Sequence, residues 1–83
     1  MALYFLTYDL RKSKDYQKLY DELENFNAVK VLESTWCFNR INTSATKLRD
    51  YFRSFIDEDD GILIDESNSW ATFKTDSSPN DLK

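Results

Sequence analysis

The feature that most constrains the fold is an apolar run near the start of the chain. Residues 3–8 are all apolar, aromatic or β-branched, and the run ends at Asp9. This composition predicts a buried strand. Side chains alternate across a strand, so one face carries Leu3 and Phe5, and the other carries two tyrosines and Leu6. A strand with one face in water would alternate apolar and polar residues, so both faces of this strand must be covered.

Helical and strand-like patterns follow the first strand in a definite order. Apolar residues recur at helical spacing from Tyr16 to Phe26, and a second helical stripe runs from Leu48 to Phe55. The predicted elements are a helix capped by Ser13, strands Val29–Leu32 and Thr35–Arg40 joined by a turn, a helix opened by residues 42–44, a strand over 62–64, and a short extra strand over 70–73.

This order predicts an α+β domain with a ferredoxin-like split βαβ sandwich, βαββαβ, that a fifth C-terminal strand would extend. Right-handed crossovers place two helices on one face of an antiparallel sheet, with the first and third strands in the middle. The domain is expected over residues 1–74, with a polar C-terminal tail over 75–83. The other sheet face then needs a cover, and the sheet of a second copy predicts a homodimer.

Composition excludes several kinds of active site. The chain has no histidine, one cysteine and one glycine. Ser-His-Asp and Cys-His catalysis, conventional zinc sites and glycine-rich phosphate loops are therefore excluded. The net charge of −4 means that nucleic-acid binding would need a local basic patch. The single Cys37 and the lack of a long apolar run predict a cytoplasmic protein that does not enter a membrane.

Asp9 is the sharpest candidate for chemistry, because a carboxylate at the end of a central strand can hold a hard cation such as Mg²⁺. Two copies of Asp9 near a twofold axis could share one ion, which would relieve their mutual repulsion. Metal-activated water could then attack a phosphodiester. The alternative from the residues alone is a strand-end aspartate that caps the following loop through backbone amides.

Basic residues are densest directly after Asp9, where the chain carries Arg11, Lys12 and Lys14. They could hold phosphates beside the Asp9 site, or they could form a solvated loop. Arg40, on a predicted central strand, is a further phosphate-binding candidate, but pairing with Glu33 or Asp65 is the preferred interpretation. The acidic run 57–60 is predicted to be a solvated turn.

Residues 4–11, which read Tyr-Phe-Leu-Thr-Tyr-Asp-Leu-Arg, resemble the opening strand and basic loop of the small CRISPR-associated adaptation protein. Residues 33–36 resemble that family's Gln-Ser-Val stretch, and the second helix and the strand over 60–65 match it in order and spacing. The resemblance covers residues 3–66 and implies a Cas-two-like protein. The superfamily includes relatives similar to the virulence-associated D endoribonucleases.

The resemblance implies a ferredoxin-like homodimer, which in some relatives is a metal-dependent nuclease and in others a structural bridge for DNA. By position, Asp9 resembles the family's metal-binding aspartate, Tyr8 its neighbour in the catalytic site, and Arg11 part of its basic loop. Residues 70–73 resemble a C-terminal strand that joins the partner's sheet edge. The acidic balance favours a stand-alone member, outside a CRISPR locus.

Three functional hypotheses follow. The first is a homodimeric, Mg²⁺-dependent endonuclease on RNA or DNA, with Asp9 as ligand. The second is a non-catalytic dimeric interaction module that binds a protein partner, which the net charge favours. The third is a nucleic-acid scaffold of a CRISPR-type integration complex, which predicts salt-dependent duplex binding without turnover.

Overall fold

The computed structural model describes every residue from Met1 to Lys83. In chain order the elements are β1 (Ala2–Asp9), α1 (Gln17–Asn25), β2 (Val29–Leu32), β3 (Thr35–Arg40), α2 (Ala45–Phe52) and β4 (Gly61–Ser67), with short 3₁₀ turns at Arg53–Phe55 and Pro79–Asp81. The βαββαβ order and the α+β, ferredoxin-like class predicted from the sequence are confirmed.

All strands pair antiparallel in one sheet whose order is β2-β3-β1-β4. The first and third strands therefore lie in the middle, as the topology predicts. β1 is the pivot of the sheet because it pairs along its length with both β3 and β4. The last residue of β1, Asp9, lies opposite Gly61 at the start of β4.

Both helices cover the same face of the sheet. That face of β1 presents Tyr4, Leu6 and Tyr8, all of them buried. They form one core cluster with buried residues of α1, α2 and β3, which are Leu19, Leu23, Phe26, Trp36, Phe38, Leu48 and Phe52. Phe26 lies at the centre of this cluster, with its ring centroid 5.1 Å from those of Phe38 and Phe52. Most of the aromatic residues in the sequence therefore lie in this single core or pack against it.

The two helices begin differently from each other. Ser44 caps α2, since its hydroxyl accepts a hydrogen bond from the backbone N–H of Lys47 at 3.2 Å. The prediction that Ser13 caps the first helix is wrong, because α1 begins at Gln17 and has no side-chain cap at Tyr16. The residues between β1 and α1 instead form a loop that is tied to the segment before β4.

The outer face of the sheet, opposite the helices, is covered on one side only. Leu3 and Phe5 are partly buried on this face, and Cys37 of β3 is completely buried. Leu63 of β4, in contrast, is 57% exposed. The expectation that one chain leaves the whole face bare is therefore wrong for the β2–β3 half and right for the β4 half.

The C-terminal tail accounts for this difference, because it returns to β2. The backbone N–H of Asp76 donates to the carbonyl of Val31 at 2.9 Å, and the hydroxyl of Ser77 donates to the carbonyl of Lys30. A capping box between Ser78 and Asp81 then closes the last turn. Residues 70–73 do not form the predicted fifth strand within this chain, and Phe73 is 82% exposed. No helix in the chain combines the length and the apolar character that a bilayer crossing requires.

The reactivity of Cys37 reports whether the C-terminal tail is docked on the sheet. Burial, with a smaller contribution from the charge of Asp81, raises the pKa of the Cys37 thiol from 9.0 to about 11. The rise lowers the thiolate fraction at neutral pH by about 100-fold. We expect Cys37 of the folded chain to react slowly with a disulfide reagent, and a chain ending at Thr75 to react much faster. Equal rates for the two folded chains would contradict the docked tail.

Candidate functional site

Asp9 lies on the outer face of the sheet, whereas Tyr8 lies on the helix face. The Asp9 carboxylate is 72% exposed. The Tyr8 side chain is buried, and its hydroxyl accepts from the indole N–H of Trp36 at 3.2 Å and donates to the carbonyl of Glu33 at 3.4 Å. These bonds hold the β2–β3 turn against β1. The two residues predicted to share a catalytic site thus lie on opposite faces of one strand.

Arg11 is the nearest cation to Asp9. Its Nε lies 3.1 Å from Asp9 Oδ2, and its Nη1 donates to the carbonyl of Asp59 at 2.8 Å. The backbone N–H of Arg11 donates to Asp60 Oδ1 at 2.7 Å. A Cβ at Gly61 would lie 3.0 Å from Nη2 of Arg11, so the missing side chain there leaves room for the guanidinium. Arg11 thus crosses the start of β4 to reach Asp9.

The two lysines of the basic loop are also paired with the acidic run. Lys12 Nζ lies 2.7 Å from Asp59 Oδ2, and Lys14 Nζ lies 3.7 Å from Asp57 Oδ2. The run predicted as a solvated turn is therefore the counter-charge of the predicted phosphate-binding patch. Each such exposed pair is worth about 0–1 kcal/mol, so the lysines and Arg11 can exchange partners at little cost.

This pairing of the basic loop with the acidic run follows from the strand order that the sequence predicts. β1 and β4 are antiparallel neighbours, so the loop leaving β1 meets the loop entering β4. A basic loop after the first strand and an acidic loop before the last one then attract each other. Sequence reasoning treated the two runs separately and missed the contact, although their opposite signs were the signal.

Asp60 stabilises the contact between the loop that leaves β1 and the loop that enters β4, which together form a loop junction over residues 10–16 and 56–60. It accepts hydrogen bonds from the backbone N–H groups of Arg11, at 2.7 Å, and Asp57, at 2.8 Å. Burial by itself would raise the pKa of Asp60, but the Arg11 amide, the Tyr16 hydroxyl and the Asp57 amide outweigh it, so the net shift is downward. The carboxylate form of Asp60 is therefore the one that the fold stabilises.

Arg40 lies at the other end of the sheet. It pairs with Ala2, the first residue of β1, whereas Asp9 is the last residue of that strand. Seven rises of about 3.3 Å separate the two ends by about 23 Å. The prediction that Arg40 pairs with Glu33 or Asp65 is wrong, because the guanidinium stacks on Phe26 at 3.9 Å and has no carboxylate within reach.

One chain does not assemble a complete metal site. No group of three or more His, Cys, Asp and Glu side chains is placed to hold an ion. Around Asp9 the structure brings together one exposed carboxylate and Arg11, which neutralises it. A divalent cation bound at Asp9 would have one carboxylate ligand from this chain, and its other ligands would come from water, from substrate phosphate or from another molecule.

The downward pKa shift of Asp60 predicts how the loop junction responds to acid. The stabilisation is complete above the ordinary carboxyl pKa of 3.8 and is lost as the pH falls through the lower pKa of the folded state. We expect Asp60→Asn to be less stable than the native chain at neutral pH, and the difference to shrink in acid, as measured by thermal unfolding. The control is Glu58→Gln, a neighbouring exposed acid. A neutral-pH deficit of Asp60→Asn that persists unchanged below about pH 3 would contradict the assignment.

Comparison with known families agrees with this architecture. Residues 1–74 match the family model for CRISPR associated protein Cas2, a span that includes all four strands and both α-helices. No solved structure matches the chain at a significant level. The family match covers most of the 83 residues and contains Asp9, Arg11 and the acidic run. The chain therefore belongs to the Cas2 family of CRISPR-associated proteins.

Proposed function

We propose that this chain works as a homodimer that cleaves RNA or DNA in a metal-dependent reaction, with one Asp9 carboxylate from each copy at the metal. Proteins of the Cas2 family are typically nucleases, dimeric and associated with nucleic acid. The observation that carries the proposal is the position of Asp9, an exposed carboxylate at the end of a central strand. It lies beside the part of the outer face that the chain does not cover itself.

The dimer is supported by the apolar surface on that part of the sheet. Leu63 is 57% exposed and lies directly opposite Thr7, on the same face as the partly buried Phe5. Complete burial of a fully exposed leucine contributes about 1.5–3 kcal/mol, and Leu63, which is 57% exposed, would contribute roughly half of that when a twofold copy packs on this patch. A twofold axis that passes near the Asp9 end of the β1–β4 strand pair brings two Asp9 side chains towards each other.

The donor set of such a dimer suits magnesium. Two facing carboxylates repel each other, and a divalent cation between them relieves that repulsion. Mg²⁺, when bound, polarises a phosphodiester and activates water. In the single chain, Arg11 takes the place of the cation beside Asp9, at 3.1 Å. If an ion were bound at Asp9, Arg11 could turn its Nε from Asp9 to a substrate phosphate, and Lys12 could bind phosphate by leaving Asp59.

A second candidate is a dimeric module that binds a protein partner without catalysis. The ion pairs of the basic loop favour it, because they leave few free cations beside Asp9 in a chain of net charge −4. Under this alternative the Asp9–Arg11 pair is a structural contact. Removing the Asp9 charge would then change stability or dimerisation and leave no catalytic effect.

The test is Asp9→Asn, which keeps the size of the side chain and removes its charge. We expect native protein to cleave labelled single-stranded RNA or DNA when Mg²⁺ is present and to lose that activity with a chelator. Asp9→Asn should lose about 100-fold or more of the cleavage rate, because metal activation supplies several kcal/mol. Glu24→Gln, on the exposed side of α1, is the matched control. Equal cleavage by Asp9→Asn and native protein would refute the assignment.

A further inference from the structure

We infer that the cleft between α1 and the start of α2 binds single-stranded nucleic acid, through Arg40 and Lys47 rather than through the basic loop after β1. The inference rests on the proposed function and adds to it a binding surface separate from Asp9. The cleft has a volume of about 410 Å³. Its floor and walls include Phe26, Ile41 and Tyr51.

Charge is the first reason for choosing this cleft. Arg11, Lys12 and Lys14 each have a carboxylate within 4 Å, whereas Arg40 and Lys47 have none. The one carboxylate on the lining of the cleft is Glu22, and it is already bonded by the hydroxyl of Tyr51 and the side-chain amide of Asn25. The cleft thus keeps a surplus of positive charge in an acidic chain, and a polyanion would be attracted there.

Stacking is the second reason. The guanidinium of Arg40 lies 3.9 Å from the centroid of Phe26, and the Phe26 ring is stacked with Tyr51 at 5.9 Å and 29°. Phe26 therefore holds the guanidinium of Arg40, which is itself an exposed residue, over its ring. An exposed guanidinium plane is a surface on which an unpaired base stacks, and the base must be free of its own helical neighbours to do so. This requirement selects a single strand over a duplex.

The residues beside Arg40 can contact the phosphate and the sugar of a nucleotide whose base stacks on the guanidinium. Lys47, in the first turn of α2, provides a mobile point charge for a phosphate. Ile41 is 60% exposed at the same cleft and offers apolar contact to a base or sugar. Aromatic, arginine and lysine side chains in one groove are the combination that single-strand binders use.

Distance separates binding here from cleavage at Asp9. The two ends of β1 lie about 23 Å apart. A nucleotide stacked on Arg40 is therefore far from Asp9 of the same chain. Binding at Arg40 and cutting at Asp9 are thus separable by mutation.

The experiment measures the affinity of a fluorescein-labelled 15-nucleotide strand, as RNA and as DNA, by anisotropy at low salt. Arg40→Ala combined with Lys47→Ala should weaken binding by about tenfold or more, since stacking of one base is worth about 1–3 kcal/mol. Arg40→Lys keeps the charge, so a large loss in that variant shows that the planar stack matters. The control pair, Lys18→Ala with Arg53→Ala, removes two exposed cations elsewhere and should cost less than about threefold.

Three results would overturn the inference. These are unchanged affinity in the Arg40 and Lys47 double variant, a loss confined to Lys12→Ala with Lys14→Ala, or a native protein that binds neither strand. If binding depends on Arg40 and Lys47 but Mg²⁺-dependent cleavage is absent, the proposed function is wrong and the inference about the cleft stands. If cleavage requires Asp9 but neither binding nor the cleavage rate changes in the Arg40 and Lys47 double variant, the inference about the cleft is wrong and the proposed function stands.

Discussion

The rest of the structure depends on β1, which is buried on its helix face and partly buried on its outer face. Its helix face supplies Tyr4, Leu6 and Tyr8 to the core, and its edges pair with β3 and β4. Its outer face is covered beside β3, where Cys37 is fully buried, and open beside β4, where Leu63 is exposed. The strand that organises the fold therefore also defines the surface on which a second molecule is expected, and it ends at Asp9.

Ion pairs between the loop after β1 and the loop before β4 reduce the positive charge that the basic loop offers to a ligand. The basic loop and the acidic run look like two separate functional or solvated features in the sequence, but they neutralise each other. Asp60 adds hydrogen bonds to two backbone amides, which fixes the path of both loops. The surface near Asp9 is consequently less basic than a count of lysines and arginines suggests, and the unpaired cations Arg40 and Lys47 gain importance for a polyanionic ligand.

Strand order, helix faces and the two-sided character of β1 were predictable because hydrophobic periodicity and crossover handedness are local or topological rules. Ser44 was identified as part of the opening of α2, since a cap depends on nearby residues. The start of α1 was not, because contacts of the loop with Asp60 and Tyr16 override the cap at Ser13. The return of the tail to β2 was also missed, since it rests on long-range bonds to Val31 and Lys30 that a polar sequence does not signal.

The candidate site was predictable in part. Asp9 was selected for its place at a strand end, and its carboxylate is 72% exposed. Tyr8 was grouped with Asp9 through the family resemblance, but strand alternation sends its side chain into the core, where Trp36 and Glu33 engage its hydroxyl. Arg40 was expected to meet a carboxylate, and stacking on Phe26 takes that place, because the chain brings an aromatic residue from the end of α1 beside the end of β3.

Sedimentation equilibrium at micromolar concentration tests the central claim most directly, because everything proposed for Asp9 requires two copies joined through the open half of the outer face. We predict a mass twice the 9.9 kDa of one chain for the native protein, and a single-chain mass for Leu63→Asp. Ile41→Asp, which adds the same charge on the helix side, should remain dimeric. A native protein that sediments as one chain, or a Leu63→Asp variant that stays dimeric, would contradict the account.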